Sequence, residues 1–225
     1  MNLLNQNLFL LFIILNFNKN SCENISLEEK TIKGKNSKKI SSFSLIHQNL
    51  GYEFVKIKIE PDEHKELIVF ANYNTLTVTS LSNPEVRFIG YNPLFYFDMN
   101  NNKNISLQVF SDYSDYEIKY QGISSQNIEL YDNYNFTLNT LTNKEVIIKY
   151  IPQLNDLTVN YIIVSITSPS LSDFYINAKY KGNDIKVNQL FPYSKTIIIS
   201  SSTLSNYSKG ETLFFFLLLF KKYND

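Results

Sequence analysis

From Ser42 onward, apolar and polar residues alternate along the chain with the period of a β-strand. Val55, Ile57 and Ile59 alternate with Lys56, Lys58 and Glu60, which gives one apolar and one charged strand face. Pro61-Asp-Glu-His64 breaks that strand with turn residues. Leu67–Tyr73 is more continuously apolar, as a central strand is. Leu76 and Val78 alternate with Thr75, Thr77 and Thr79. Ser82-Asn-Pro84 turns, Val86–Tyr91 continues, and Pro93 limits pairing before Leu94–Met99. Ile105, Leu107 and Val109 follow, then a turn at Asp112–Asp115, then Tyr116, Ile118 and Tyr120 alternating with Glu117 and Lys119. Roughly eight short strands with turn signals every eight to twelve residues, and no sustained helical stripe, predict an all-β fold.

The second half repeats this logic. Strands are predicted at Tyr134–Leu138, Val146–Ile151, Thr158–Thr167, Phe174–Tyr180, Ile197–Ile199 and Phe214–Phe220. Ser114-Asp-Tyr-Glu-Ile-Lys-Tyr-Gln-Gly122 resembles Ser172-Asp-Phe-Tyr-Ile-Asn-Ala-Lys-Tyr-Lys-Gly182, and Tyr52-x-Phe54 resembles Tyr134-x-Phe136. Each pair frames a unit, 71 residues in the first and 49 in the second. The expectation is two tandem antiparallel β-sandwich (jelly-roll-like) domains, 41–123 and 130–225. The second is incomplete if a truncated third unit begins at about 205.

A Tyr-x-Phe opening strand, an apolar second strand and a closing aromatic-x-Ile-x-Tyr strand after a Ser/Asp turn resemble the pre-peptidase C-terminal type of β-sandwich. The resemblance covers about residues 42–122 and, more loosely, 130–182. The family's central Gly-Asp-x-Asp-Leu-like segment is missing, and Pro84-Glu-Val-Arg-Phe-Ile-Gly90 stands where it would fall. The resemblance implies a non-catalytic module that flanks secreted hydrolases or surface proteins and aids secretion, adhesion or substrate capture. It carries no functional residue over to this chain.

The N-terminus sets the expected compartment. Leu8–Leu15 is an uncharged apolar run of eight, the length of a signal-peptide core and far short of the roughly 20 residues that cross a bilayer. Small residues at Ser21 and Cys22 follow it, so 1–22 reads as a signal peptide, although the first residues lack Lys and Arg. Glu23–Ile40 is Lys-rich without apolar period and reads as a flexible leader. Cleavage after Cys22 removes the only cysteine, so the exported chain must be held by packing and strand pairing. Four sequons follow, Asn24-Ile-Ser, Asn104-Ile-Ser, Asn135-Phe-Thr and Asn206-Tyr-Ser. With 29 Asn and 35 Ser plus Thr in 225 residues, about four or five such triplets arise by chance, so they list acceptors without proving export.

Composition narrows the chemistry. Twenty-one basic residues balance twenty-one acidic ones, and Arg87 is the only arginine, which removes the footprint of a nucleic-acid binder. One Cys and two His exclude Cys/His zinc modules. No Gly-x-Ser-x-Gly occurs; His64 sits in a turn, and His47 near the end of the Phe43–Leu50 strand has no nucleophile beside it. Asp98–Asn102 mimics the start of an EF-hand loop, but Lys103 and Val109 stand where the loop needs Gly and Glu. A looser site at Asp112 and Asp115 competes with their simpler reading as turn residues. Tyr113, Tyr116, Tyr120, Tyr131 and Tyr134 could form a stacking face, or could be ordinary strand tyrosines in an Asn-, Lys- and Tyr-rich chain. Leu213–Phe220 is too short to span a membrane and reads as a buried strand, with a lipid-anchor signal as the alternative.

The expectation is therefore a non-catalytic secreted or cell-surface binding or adhesion protein. It has no catalytic, cofactor or metal residues, and its partners are protein or carbohydrate at the cell surface, not nucleic acid. Membrane association, if any, does not use a full transmembrane helix. The alternatives are a small secreted hydrolase working with two carboxylates, or a fragment of a larger membrane-anchored or protease-bearing protein.

Overall fold

The computed structural model describes residues 17–35, 40–63, 65–73, 86–99, 103–112, 114–131, 135–139, 145–150, 161–167, 174–180, 183–185, 187–191, 194–200 and 213–219. These residues are all-β apart from one 3-10 turn, Ser125–Asn127. The chain divides into two compact units, the first made of residues 1–123 and 134–139.

The first unit has two five-stranded sheets. One contains β1 (Phe17–Asn24), β3 (Ile40–Ile46), β8 (Ile105–Phe110), β5 (Leu67–Tyr73) and β6 (Val86–Gly90), in that order. The other contains β11 (Asn135–Asn139), β7 (Pro93–Asp98), β4 (Phe54–Pro61), β9 (Tyr116–Ile123) and β2 (Lys30–Gly34). Neighbours are antiparallel except at one edge of each sheet, where β1 runs parallel to β3 and β11 parallel to β7.

Period-two patterning decides which face each strand buries. Val55, Ile57 and Ile59 of β4 are buried, while Lys56 and Lys58 between them are half-buried. Tyr116, Ile118 and Tyr120 of β9 are buried beside them, with Ile59↔Ile118 and Ile57↔Tyr120 in register. Phe43, Leu45, Val69, Ala71, Leu107 and Val109 of the first sheet join them in one core cluster. Edge-on aromatic contacts close the sandwich across the sheets, Phe43 to Tyr116 at 6.5 Å, Tyr73 to Phe97 at 5.3 Å and Phe88 to Phe95 at 5.9 Å between ring centroids. Burying one such aliphatic or aromatic side chain is worth about 1.5–3 kcal/mol, which replaces the disulfides this chain lacks.

The outer face of the second sheet is charged. Register sets Lys58 opposite Lys119 and Glu60 opposite Glu117, so like charges face each other. The pairs form diagonally or along the strand instead: Glu60 takes Lys119, and Lys58 reaches Glu60 at 2.9 Å. On β7 the alternation fails, because all six residues are buried. Phe95 and Phe97 face the core, and Tyr96 on the opposite face meets the Phe136 ring at 5.4 Å.

The second unit comprises residues 124–133 and 140–225. One sheet orders β10 (Ile128–Leu130), β12 (Glu145–Tyr150), β18 (Leu213–Leu219), β14 (Phe174–Tyr180) and β15 (Asn183–Ile185). The other orders β13 (Tyr161–Thr167), β17 (Ser194–Ser200) and β16 (Val187–Phe191). On β12, Val146, Ile148 and Tyr150 are buried and alternate with half-buried Ile147 and Lys149.

Several expectations are revised. The stretch expected as a flexible leader contains β2, which pairs with β9 from Lys30↔Tyr120 to Gly34↔Tyr116. An edge strand has one neighbour and needs little apolar surface; here only Ile32 packs against the core. Residues 17–24 pair as β1 with β3, so the expected cleavage point after Cys22 lies inside a strand; residues 1–16 lie outside the described residues. The Tyr-x-Phe strand of the expected second repeat is β11, which joins the first unit beside β7 and does not pair with β14. Its counterpart β4 is a central strand paired with β9, so the two motifs occupy different places. The apolar run near the C-terminus forms the expected strand: β18 lies between β12 and β14. The strand expected at Thr75–Thr79 falls outside the described residues.

Candidate functional site at one end of the first unit

Three pairings place several strand ends together: Leu45↔Ile105, Phe54↔Asp98 and Phe54↔Ile123. The loops that leave these ends are stitched backbone to backbone. Ile25 N–H donates to Ile46 O at 2.9 Å, Glu53 N–H to Ile123 O at 3.0 Å, Met99 N–H to Glu53 O at 2.9 Å and Gly122 N–H to Ser26 O at 2.8 Å.

Polar side chains complete the brace. Gly51 adopts φ +78°, a conformation glycine takes at little cost, and the β3–β4 loop turns back there so that Tyr52 meets His47. The Tyr52 hydroxyl lies 2.9 Å from His47 Nδ1 and accepts the Gln48 N–H at 2.9 Å. The two rings meet edge-on at 5.2 Å. Asn104 Oδ1 accepts the His47 N–H at 2.9 Å, and Asn24 Oδ1 accepts from Gln48 Nε2 at 3.1 Å. Burial pushes the Tyr52 hydroxyl above its ordinary pKa, and the Gln48 N–H partly offsets the rise. The tautomer decides which of the Tyr52 hydroxyl and His47 Nδ1 donates, and His47 Nε2 is buried without a partner. This arrangement orients loops.

The other candidate residues are dispersed. Asp112 is half-buried and Asp115 exposed, and the Asp115 carbonyl accepts the Asp62 N–H at 2.8 Å, as expected of a turn. Among the described residues no three His, Cys, Asp or Glu side chains form a group able to hold a metal ion. Asp98 is fully buried at the end of β7, and its carbonyl accepts the Tyr73 hydroxyl at 2.7 Å. Of the tyrosines weighed as a stacking face, Tyr116 and Tyr120 lie in the core, and Tyr131 is half-buried and donates to Glu129. Tyr113, Tyr134, His64 and Asn206 lie outside the described residues. Of the sequons, Asn24 and Asn104 belong to this end, and Asn135 begins β11.

Sequence reasoning left His47 without a role. The legible signal was the spacing His47-Gln-Asn-Leu-Gly-Tyr52, two hydrogen-bonding aromatics on either side of a glycine turn. Leu27 and Leu50, in the loops of this end, are 51% and 50% exposed. No protein-family model matches the chain, and no curated protein matches it.

Proposed function

We propose that this chain is a non-catalytic, secreted or cell-surface protein of jelly-roll type that binds or adheres through the loop end of its first unit. The observation that carries this reading is the bracing of that end. Its polar side chains are committed to holding backbone, which keeps the loops in place while Leu27 and Leu50 face solvent. A pre-set surface with apolar points gains affinity because little loop entropy is lost on contact. The strand order supports the jelly-roll reading: without the two parallel edge strands, the sheets are β3-β8-β5-β6 and β7-β4-β9-β2, with the chain passing between them. The partner is protein or carbohydrate at a cell surface, and export rests on the apolar run Leu8–Leu15.

Expression of the full chain in a eukaryotic secretory host tests the reading. Export predicts protein in the medium whose N-terminal sequence begins near Glu23. A chain recovered from the cytosol with Met1 intact defeats it. Binding to cells of the native host should then fall when Leu27 and Leu50 are changed to Asp, with the denaturation midpoint unchanged. Equal binding by that variant removes the loop end from the proposal.

A further inference from the structure

We infer that Asn104 is an N-glycosylation site whose side chain, held through Oδ1 by the His47 backbone, accommodates the glycan in the folded chain. The inference rests on the proposed export and goes beyond it, since it selects one sequon by its geometry. An asparagine amide offers one acceptor oxygen and one nitrogen, and only the nitrogen can take a sugar. At Asn104 the two atoms are told apart by their surroundings. The His47 N–H, a donor only, lies 2.9 Å from Oδ1, so the oxygen faces the loop brace. Among the described residues Nδ2 has no partner, and it is not among the buried unpaired atoms, so this half-buried side chain keeps its nitrogen open to solvent. A glycan on Nδ2 leaves the Oδ1 bond to His47 in place, and the folded loop tolerates the modification.

The other sequons lack this combination. Asn24 Oδ1 is held by the Gln48 side-chain amide, and two facing amides can both turn over without losing their bond. Asn135 lies in a strand laddered to β7, opposite Pro93. Asn206 is outside the described residues.

The transfer balances without redox chemistry. The co-substrate is an oligosaccharide joined through its anomeric carbon to a lipid pyrophosphate. Asn104 Nδ2 attacks that carbon, the N–C bond forms, and Nδ2 gives up one proton to solvent water. The bond from the anomeric carbon to the pyrophosphate oxygen breaks, and the lipid pyrophosphate leaves with the electron pair.

The experiment uses the full chain in a eukaryotic secretory host, reading intact mass and peptide maps of both medium and cell fractions before and after an amidase that removes N-glycans. The expected result is a glycan on the peptide that contains Asn104. Ser106→Ala should remove it, because it destroys the sequon while leaving the Asn104–His47 bond. Ser106→Thr should restore it, and Asn135→Gln should leave it unchanged. Transfer takes place on entry to the secretory pathway, so a variant that misfolds and is retained is still scored in the cell fraction. Exported protein with unmodified Asn104 overturns this inference and leaves export standing. Cytosolic protein with Met1 intact and no glycan overturns both.

Discussion

The Tyr52 ring fills the space where a side chain at position 122 would stand: a Cβ on Gly122 would lie 2.6 Å from Tyr52 Cγ and Cδ1. The aromatic that precedes β4 and the glycine near the end of β9 are therefore one packing unit. Gly122→Ala should cost roughly 1–3 kcal/mol through overpacking, read as a lower urea midpoint. Tyr52→Ala in the same chain removes the clash, so the double variant should lose less than the sum of the single losses. Strict additivity would show that the ring yields freely.

Tyr116 offers the opposite test. Its ring is buried and its hydroxyl has no hydrogen-bond partner of good geometry; the Ser41 side chain is near enough only to moderate its pKa. An unsatisfied buried hydroxyl destabilises, so removing it together with its desolvation cost is favourable. Tyr116→Phe should leave the denaturation midpoint unchanged or raise it by up to about 1–2 kcal/mol equivalent. A clear loss of stability would mean the hydroxyl is satisfied.

Alkaline pH should weaken the first unit. Burial pushes the Tyr116 hydroxyl up from 10.0 to about 12. The Tyr120 hydroxyl also rises to about 12, through burial and then the Glu23 charge. Between these values the unfolded chain releases phenol protons that the folded chain retains, so stability falls as pH rises from 10 to about 12. Tyr116, the more deeply buried of the two, accounts for on the order of 2 kcal/mol. Urea midpoints across this range should decline, and Tyr116→Phe should decline less steeply.

The charged face of the second sheet should matter little. Glu60 pairs with Lys119 and Lys58, and its hydrogen bond is the main cause of the raised Lys119 pKa. Lys33–Glu117 at 3.7 Å and Lys119–Glu117 at 3.9 Å extend the row. These groups are partly in water, so Glu60→Gln should cost no more than about 1 kcal/mol. The difference should shrink at about 1 M salt, where the Debye length is near 3 Å. A large, salt-independent loss would show that Glu60 is a packing residue.

What the sequence made legible followed burial on one face. β4 and β9 alternate because one side meets the core and the other meets water, and the chain could be read there residue by residue. β7 gave no such alternation, because Leu94, Tyr96 and Asp98 are as buried as Phe95 and Phe97. β2 was missed for the converse reason: one apolar residue, Ile32, suffices for an edge. The repeat misled because Tyr-x-Phe reports strand character and says nothing of which strand lies alongside. The brace at His47 and Tyr52 was hidden because its partners, Asn24 and Asn104, are 23 and 57 residues away from His47 along the chain.

β11 makes the two units inseparable by a single hydrolysed bond. The chain leaves the first unit after Ile123, returns for Tyr134–Asn139, and leaves again at Thr140. A protease that cuts at 124–133 leaves β11 on the piece that carries the second unit, and one that cuts after Asn139 leaves β10 on the piece that carries the first. Either way, a nicked molecule whose strands keep their partners stays together until it is denatured. Limited proteolysis should therefore show two bands on a denaturing gel and one species in native solution.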